Sequence, residues 1–91
     1  MLHIVKSQTA IIELMPFISA QDQILLIEEA VYGANPKHEF FPYLNGLDVA
    51  VLEADLKARG LCDKVSPQLR KVDYSAWVEL TVDHPQSMTW E

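Results

Sequence analysis

The beginning of the chain combines a short apolar run with a helical spacing of apolar residues. Leu2–Val5 is rich in β-branched residues and predicts a strand, and Ser7 follows it as a candidate helix N-cap. Apolar residues then recur at intervals of four and three, which predicts a helix over residues 8–18. Because Pro16 removes a backbone donor, we expect this helix to kink or end near Met15.

The middle of the chain contains one apolar run without alternation. Residues 23–27 are Gln-Ile-Leu-Leu-Ile, a pattern typical of a strand that is covered on both faces, so we predict a central parallel strand here. Residues that break periodic structure are spread through the stretch from 30 to 46, namely Gly33, Pro36, Pro42 and Gly46. We therefore predict a short helix followed by a loop for this stretch.

The second half of the chain contains another strand followed by a helix. Residues 48–52 return to β character, and residues 54–59 predict about two helical turns. Gly60 stands where a left-handed C-cap is expected, since glycine adopts that conformation without steric cost. Residues 70–72 are a further candidate for a short strand.

The last segment predicts one more helix and one more strand. Asp73 is a good N-cap, and the apolar positions after it have the i, i+3, i+4, i+7, i+8 spacing of an amphipathic helix. These positions are Tyr74, Trp77, Val78, Thr81 and Val82. Residues 87–90 can add a final strand. The alternation of strands and helices predicts an α/β fold, with a small parallel sheet of about five strands covered by helices on both faces.

Composition and charge narrow the class of protein. The 91 residues are 49% hydrophobic and 22% charged, which predicts a single folded domain over residues 1–91 rather than a disordered chain. The net charge of −6 disfavours direct binding to nucleic acid. Even the apolar run Ile24–Ile27 is far too short to span a bilayer, and we find no signal peptide, so we expect a cytoplasmic protein without a membrane segment.

Few residues of the chain are candidates for catalysis or for binding a metal or cofactor. Cys62 is the single cysteine, and Arg59 and Lys64 nearby would favour a thiolate, although Asp63 acts in the opposite sense. We favour a partly buried thiol that behaves as a small apolar residue, and keep Cys62 as a minor candidate for carrying a persulfide. The three histidines show no metal-ligand spacing, and no glycine-rich phosphate loop exists, so we expect no catalytic residue, metal or cofactor.

Clustered aromatic residues suggest a protein interface. Phe40, Phe41 and Tyr43 crowd into a loop bounded by prolines, and they either anchor a partner or cap the end of the core. Trp90 lies next to the last residue and predicts a strand or interface that holds this segment down. With Trp77 of the last predicted helix, these five residues are our interface candidates.

Four stretches stand out by their order and spacing: the opening Met-Leu-His, ILLIEEAVYGA, VLEADLKARGL at Val51–Leu61, and VDYSAWVELTVDHPQSMTW with its terminal Trp90. Together they resemble the DsrH family of sulfur-relay proteins, specifically its TusB branch. The resemblance runs nearly from end to end and implies the fold of the DsrE, DsrF and DsrH proteins. It further implies one of three homologous subunits of a TusBCD-type complex, a dimer of heterotrimers.

In that family, the complex passes persulfide sulfur to a DsrC-like carrier, TusE, for 2-thiolation of the wobble uridine of tRNA. The resemblance thus implies DsrE-like (TusD) and DsrF-like (TusC) partner subunits, with the reactive cysteine on the DsrE-like subunit. Some family members have a cysteine near the first helix, but residues 8–22 here contain none, and no family cysteine matches Cys62. The resemblance therefore implies a non-catalytic subunit, which we expect to self-associate when isolated.

Two other interpretations stay open at this stage. One is an autonomous sulfur carrier that uses a persulfide on Cys62, with Arg59 and Lys64 beside it. The other is a module that binds a small ligand at residues 28–32, because open α/β sheets bind ligands at the carboxyl ends of their strands. Glu28 and Glu29 at that edge would be the candidates for acid/base chemistry, although a solvated or partner-facing pair is the simpler interpretation.

Overall fold

Five parallel strands form one sheet in the computed structural model, which describes residues 1–91. The sheet has the order β4-β3-β2-β1-β5, and its strands are β1 (Leu2–Val5), β2 (Gln23–Leu26), β3 (Asp48–Leu52), β4 (Arg70–Val72) and β5 (Ser87–Trp90). The α-helices are α1 (Gln8–Leu14), α2 (Glu53–Ala58) and α3 (Tyr74–Asp83), and 3-10 helices span Met15–Phe17, Glu28–Ala34 and Phe41–Leu44. All four strand pairs are parallel, as predicted.

The predicted central strand is confirmed, because β2 lies in the middle of the sheet and buries both of its faces. Ile24 and Leu26 belong to one core cluster, whereas Leu25 and Ile27 belong to another on the opposite side. A strand in this position meets apolar side chains above and below, so it needs no polar alternation. The continuous apolar run in the sequence follows directly from that requirement.

Helices cover both faces of the sheet, but unequally. The larger cluster includes 14 buried residues, and α1, α2 and the 3-10 helix Glu28–Ala34 all contribute to it. The smaller cluster includes 7, and α3 contributes Leu80 as the one helical residue among them. The expectation of helices on both faces is confirmed, with α3 covering the second face as it connects β4 to β5 across the sheet.

The first helix is shorter than the apolar spacing predicts, and Pro16 explains the difference. Helix α1 begins after Ser7, whose Oγ accepts a hydrogen bond from the backbone N–H of Ala10 at 3.2 Å. It ends at Leu14, and the chain tightens into the 3-10 helix Met15–Phe17. Proline lacks the N–H that an α-helix would need at this point, so the predicted early end near Met15 is confirmed.

The stretch after β2 forms 3-10 helices rather than an α-helix. Glu28–Ala34 buries Ala30, Val31 and Ala34 against α1 and the sheet. Gly33 lies so close to the Ile11 side chain that a β-carbon there would collide with it. Small residues thus let this segment approach α1 closely, and the tight 3-10 turns keep its apolar side on the core.

Helix α3 departs from the pattern in the sequence. Of its predicted apolar positions, Trp77 packs against the smaller core cluster, together with Ala76. Tyr74, Val78 and Val82 are exposed instead. The helix carries apolar residues on two sides, and the side with Leu80 faces the sheet as the helix crosses from β4 to β5.

Helix α2 ends in a hydrogen-bonded turn that requires a left-handed residue. Gly60 has φ +65°. The N–H of Gly60 donates a hydrogen bond to the carbonyl of Lys57 at 3.3 Å, and the N–H of Leu61 donates one to the carbonyl of Leu56 at 2.9 Å. These two bonds make a Schellman motif, and Leu56 and Leu61 are both in the larger core cluster. The predicted C-cap is confirmed.

We expect Gly60→Ala to lower the free energy of unfolding by about 1 kcal/mol, because a β-carbon is disfavoured at positive φ. Apart from its neighbours in the chain, nothing lies within 4 Å of that β-carbon, so the loss would reflect backbone conformation and not collision. Gly60→Asn is the matched variant and should lose less, since asparagine tolerates the left-handed region. Urea unfolding measures both, and equal losses would contradict this explanation.

Candidate functional site

Cys62 lies in the turn after the Schellman motif. Its side chain is half-buried and packs beside the larger core cluster. Its backbone carbonyl accepts a hydrogen bond from Nζ of Lys71 at 2.8 Å, which ties the turn to β4. Hence this turn is a packed part of the fold, and the thiol is partly shielded from solvent.

Arg59 and Lys64 are close to Cys62 in the sequence. Arg59 forms ion pairs with acids, and Lys64 lines a hollow in the surface. The guanidinium of Arg59 pairs with the carboxylates of Glu29 at 3.6 Å and Asp55 at 3.7 Å. Lys64 lines a hollow with Asp63 and other residues, namely Asn35, Pro36, Lys37 and Val65. The positive charge of Arg59 is therefore largely compensated by carboxylates before it can act on a thiolate.

Paired charges occupy the carboxyl edge of the sheet. Glu28 adopts φ +51°, and its N–H bonds to Oδ2 of Asp55 at 2.7 Å. Lys6 after β1 lies 3.2 Å from Glu91 and 3.6 Å from Glu28, and these carboxylates raise the pKa of Lys6, the hydrogen bond to Glu91 contributing most. Glu28 and Glu29 begin a 3-10 helix and each meets a cation, which is the arrangement of an ion-pair network.

A largely buried hydrogen-bond network connects Trp90 of β5 through His3 of β1 to Asp22, which precedes β2. Nε1 of Trp90 donates a hydrogen bond to Nδ1 of His3 at 3.0 Å, and Nε2 of His3 lies 2.9 Å from Oδ2 of Asp22. Because an indole N–H can only donate, this network assigns the His3 proton to Nε2, which donates to Asp22. The hydrogen bond from His3, reinforced by the backbone N–H of Ser19, holds the pKa of Asp22 well below its usual range.

The other histidines also have fixed partners. His38 accepts a hydrogen bond at Nδ1 from the Phe40 N–H at 3.0 Å, and its Nε2 contacts the Gln8 side chain at 2.8 Å. Nε2 of His84 contacts the Gln23 side chain at 2.8 Å. No histidine hydrogen-bonds to the thiol of Cys62, and no group of three or more metal-ligating side chains comes together.

The loop aromatics predicted as interface anchors divide between core and surface. Phe40 packs against the larger core cluster, and its ring meets that of Tyr43 edge-on at 6.4 Å. Phe41 is half-buried without belonging to that cluster, and Tyr43 is exposed. Both alternatives weighed for this loop therefore describe part of it: Phe40 closes the end of the core, whereas Tyr43 faces solvent.

The two tryptophans lie on opposite faces of the sheet. Trp90 belongs to β5, packs against the larger cluster and has Phe17 at 5.6 Å, so the predicted strand holds this segment down. Trp77 packs against the smaller cluster and stacks on Tyr74 with ring centroids 6.1 Å apart. The structure thus does not gather the five candidates into one patch.

One exposed apolar surface lies outside the five predicted interface residues, although it belongs to the last predicted helix. Tyr74, Val78 and Val82, which we call the α3 stripe, form an exposed apolar row with four-residue spacing. The spacing was visible, but it is the same for a buried and an exposed face. The His3 network was not predicted, and its signal was a polar residue inside the apolar run Leu2–Val5.

The shape of the surface offers little for a small ligand at residues 28–32. Neither of the two surface hollows lies there, since one adjoins Lys64 and the other is lined by Asp22 and His84 among others. No helix is both long and apolar enough to cross a membrane.

Comparison with known proteins finds a family model and named relatives that match most of the chain. The model of the family described as DsrH like protein matches residues 6–87. Protein TusB of Buchnera aphidicola is 34% identical over 95 residues, which cover 99% of this chain and 100% of that protein. Protein TusB of Escherichia coli K12 is 34% identical over 79 residues, covering 85% and 83%.

Solved structures share the fold. A protein of unknown function from Methanobacterium thermoautotrophicum superposes with a TM-score of 0.76 at 12% identity, over 97% of this chain and 95% of that one. The ychN protein of E. coli gives a TM-score of 0.71 at 11% identity, over 98% and 97%. At these identities, the likeness extends to the architecture of the sheet and its helices.

We expect Asp22→Asn to lower the free energy of unfolding at pH 7 by about 2 kcal/mol, because it weakens charge-assisted hydrogen bonds. The folded-state pKa of Asp22 is lowered, so its contribution is complete above the ordinary carboxyl pKa of 3.8 and is lost as the pH falls below that value. Urea unfolding at pH 7 and pH 3 should show the difference shrinking in acid. Asp63→Asn, at an exposed residue without an ion pair, is the control, and a difference that does not depend on pH would contradict the assignment.

Proposed function

The chain belongs to the DsrH family, and from this membership we propose that it is a subunit of a sulfur-relay complex that does not itself carry the transferred sulfur. The observation that carries the proposal is the family match over residues 6–87 together with relatives named TusB along nearly the whole chain. Its partners would be a DsrE-like (TusD) and a DsrF-like (TusC) subunit.

The complex as a whole would pass persulfide sulfur to a DsrC-like carrier, TusE, for 2-thiolation of the wobble uridine of tRNA in the cytoplasm. The net charge of −6 supports a role that involves contact with proteins and not with RNA, since a polyanion would be repelled. The chain would thus contribute to assembly, and the tRNA would be reached only through other components.

The surroundings of Cys62 support placing the sulfur on a partner subunit. The thiol is half-buried, no histidine hydrogen-bonds to it, and Arg59 pairs with Glu29 and Asp55. A persulfide carrier needs an accessible thiolate with a compensating positive charge nearby. The Cys62 thiol is only partly accessible, and the ammonium of Lys71 hydrogen-bonds to the backbone carbonyl of Cys62 rather than to the thiol.

The proposal is tested by native mass spectrometry of the chain expressed with its DsrE-like and DsrF-like partners, before and after loading with persulfide from a cysteine desulfurase. A three-component assembly that gains sulfur on another subunit is the expected result. Absence of the chain from any assembly would refute the role as a subunit.

Replacing the thiol separates this proposal from an autonomous carrier. We expect Cys62→Ser to leave assembly and sulfur loading of the complex unchanged, because serine preserves the size of a side chain that only packs. Serine in place of the DsrE-like subunit's cysteine is the positive control and should abolish loading. Sulfur found on this chain and lost in Cys62→Ser would make Cys62 the carrier.

The loop at residues 33–46 is our candidate for one partner interface. We expect Phe41→Asp to weaken assembly with the partner subunits, because it replaces an aromatic anchor by a charge. Phe41 lies outside both core clusters, so the fold should persist. Asn45→Asp adds the same charge at an exposed position of the same loop and is the control. Co-purification and native mass spectrometry measure assembly, and full assembly of Phe41→Asp would place the interface elsewhere.

A further inference from the structure

The α3 stripe leaves three apolar side chains exposed on one side of the helix. Tyr74 is 59% exposed, Val78 62% and Val82 73%, whereas Leu80 is the one buried residue of α3. Apolar side chains scattered singly on a surface need no explanation, but a continuous row on one side of a helix is typical of an interaction site. Tyr74 is also fixed by its stacking on Trp77, which limits the entropy that it would lose on binding.

The border of the α3 stripe carries charge of one sign. Segment 73–83 contains Asp73, Glu79 and Asp83 and no lysine or arginine. Asp73 caps the helix by accepting a hydrogen bond from the N–H of Ala76 at 2.8 Å. None of these three acids takes part in an ion pair, whereas at the carboxyl edge of the sheet Lys6 and Arg59 are paired with acids.

We propose that the α3 stripe is the docking surface for one partner subunit of the relay complex, whose facing surface is an apolar hollow bordered by lysine or arginine. This inference rests on the proposed function, because it takes the partner to be a subunit of that complex. Burial of Tyr74, Val78 and Val82 would supply the affinity. The unpaired Glu79 and Asp83 would give specificity for a partner of complementary charge and raise the rate of association.

A second copy of this chain fits the α3 stripe poorly. Two copies meeting through the same helix would bring their Glu79 and Asp83 side chains towards one another without any cation on that helix. Juxtaposed like charges are costly at an interface, so the acidic border discriminates against self-association through this surface. A basic partner removes the conflict and leaves the apolar contact intact.

The α3 stripe and the loop at residues 33–46 lie on different sides of the molecule. Leu44 of the loop is in the larger core cluster, and Leu80 of α3 is in the smaller one on the opposite face of the sheet. The two surfaces can therefore contact two different neighbours at once, as a chain with two partner subunits requires. Substitutions in one should leave the other intact.

The test compares Val78→Glu with Ile12→Glu in the chain expressed with its DsrE-like and DsrF-like partners. Both replace an exposed β-branched residue on a helix by glutamate, and Ile12 lies on α1, which covers the other face of the sheet. We expect Val78→Glu to raise the dissociation constant of one partner about tenfold or more, because it places an unpaired charge at the centre of the contact. Ile12→Glu should leave that constant unchanged, and urea unfolding should show that both variants fold.

A charge reversal tests the basic border of the partner. For the wild type, we expect the affinity for that partner to fall as sodium chloride is raised. Replacing both Glu79 and Asp83 by lysine should weaken binding at low salt and remove most of this salt dependence. A purely structural role of the two acids would lower stability without changing the salt dependence.

The outcomes separate this inference from the proposed function. Normal assembly of the wild type and of Val78→Glu would overturn the inference and leave the proposed function standing. Failure of the wild type to assemble with either subunit would overturn both. Sedimentation of the isolated chain provides the third comparison: a dimer that Val78→Glu disrupts would assign the α3 stripe to a second copy and overturn the partner that we propose.

Discussion

A parallel sheet buries both of its faces, and the rest of this structure depends on that constraint. The central strands β1, β2 and β3 carry apolar side chains on both sides, so each side needs a cover. The chain places α1, α2 and the 3-10 helix Glu28–Ala34 on one side and only α3 on the other. A single helix must therefore close the second face alone.

This division explains why α3 has two apolar sides. One side packs Leu80 and Trp77 onto the sheet, and the other leaves the α3 stripe in solvent. In a small domain, surface that its own core cannot bury is available to a partner, and a partner adds stability by binding the folded state alone. The exposed α3 stripe is the surface that we propose for docking.

The charges and polar networks divide in a similar way. Lys6 and Arg59 form ion pairs with acids at the carboxyl edge of the sheet. His3 connects Asp22 to Trp90 through hydrogen bonds beside β1. These contacts hold strand ends together and leave Arg59 paired with acids rather than with the thiol of Cys62. The acids of α3 stay unpaired, so the surface that is free to bind is also the surface with a clear electrostatic preference.

The sequence by itself determined the order and kind of the elements, because their signals are local: the apolar run of β2, the proline that ends α1 and the glycine that caps α2. It also carried the family resemblance. Only the tertiary structure decided the rotation of α3 about its axis, the pairing of His3 with Trp90 across 87 positions, and the scattering of the predicted aromatics over both faces. Periodicity shows that a helix has an apolar side, but which of two apolar sides meets the sheet depends on packing against strands that are distant in sequence.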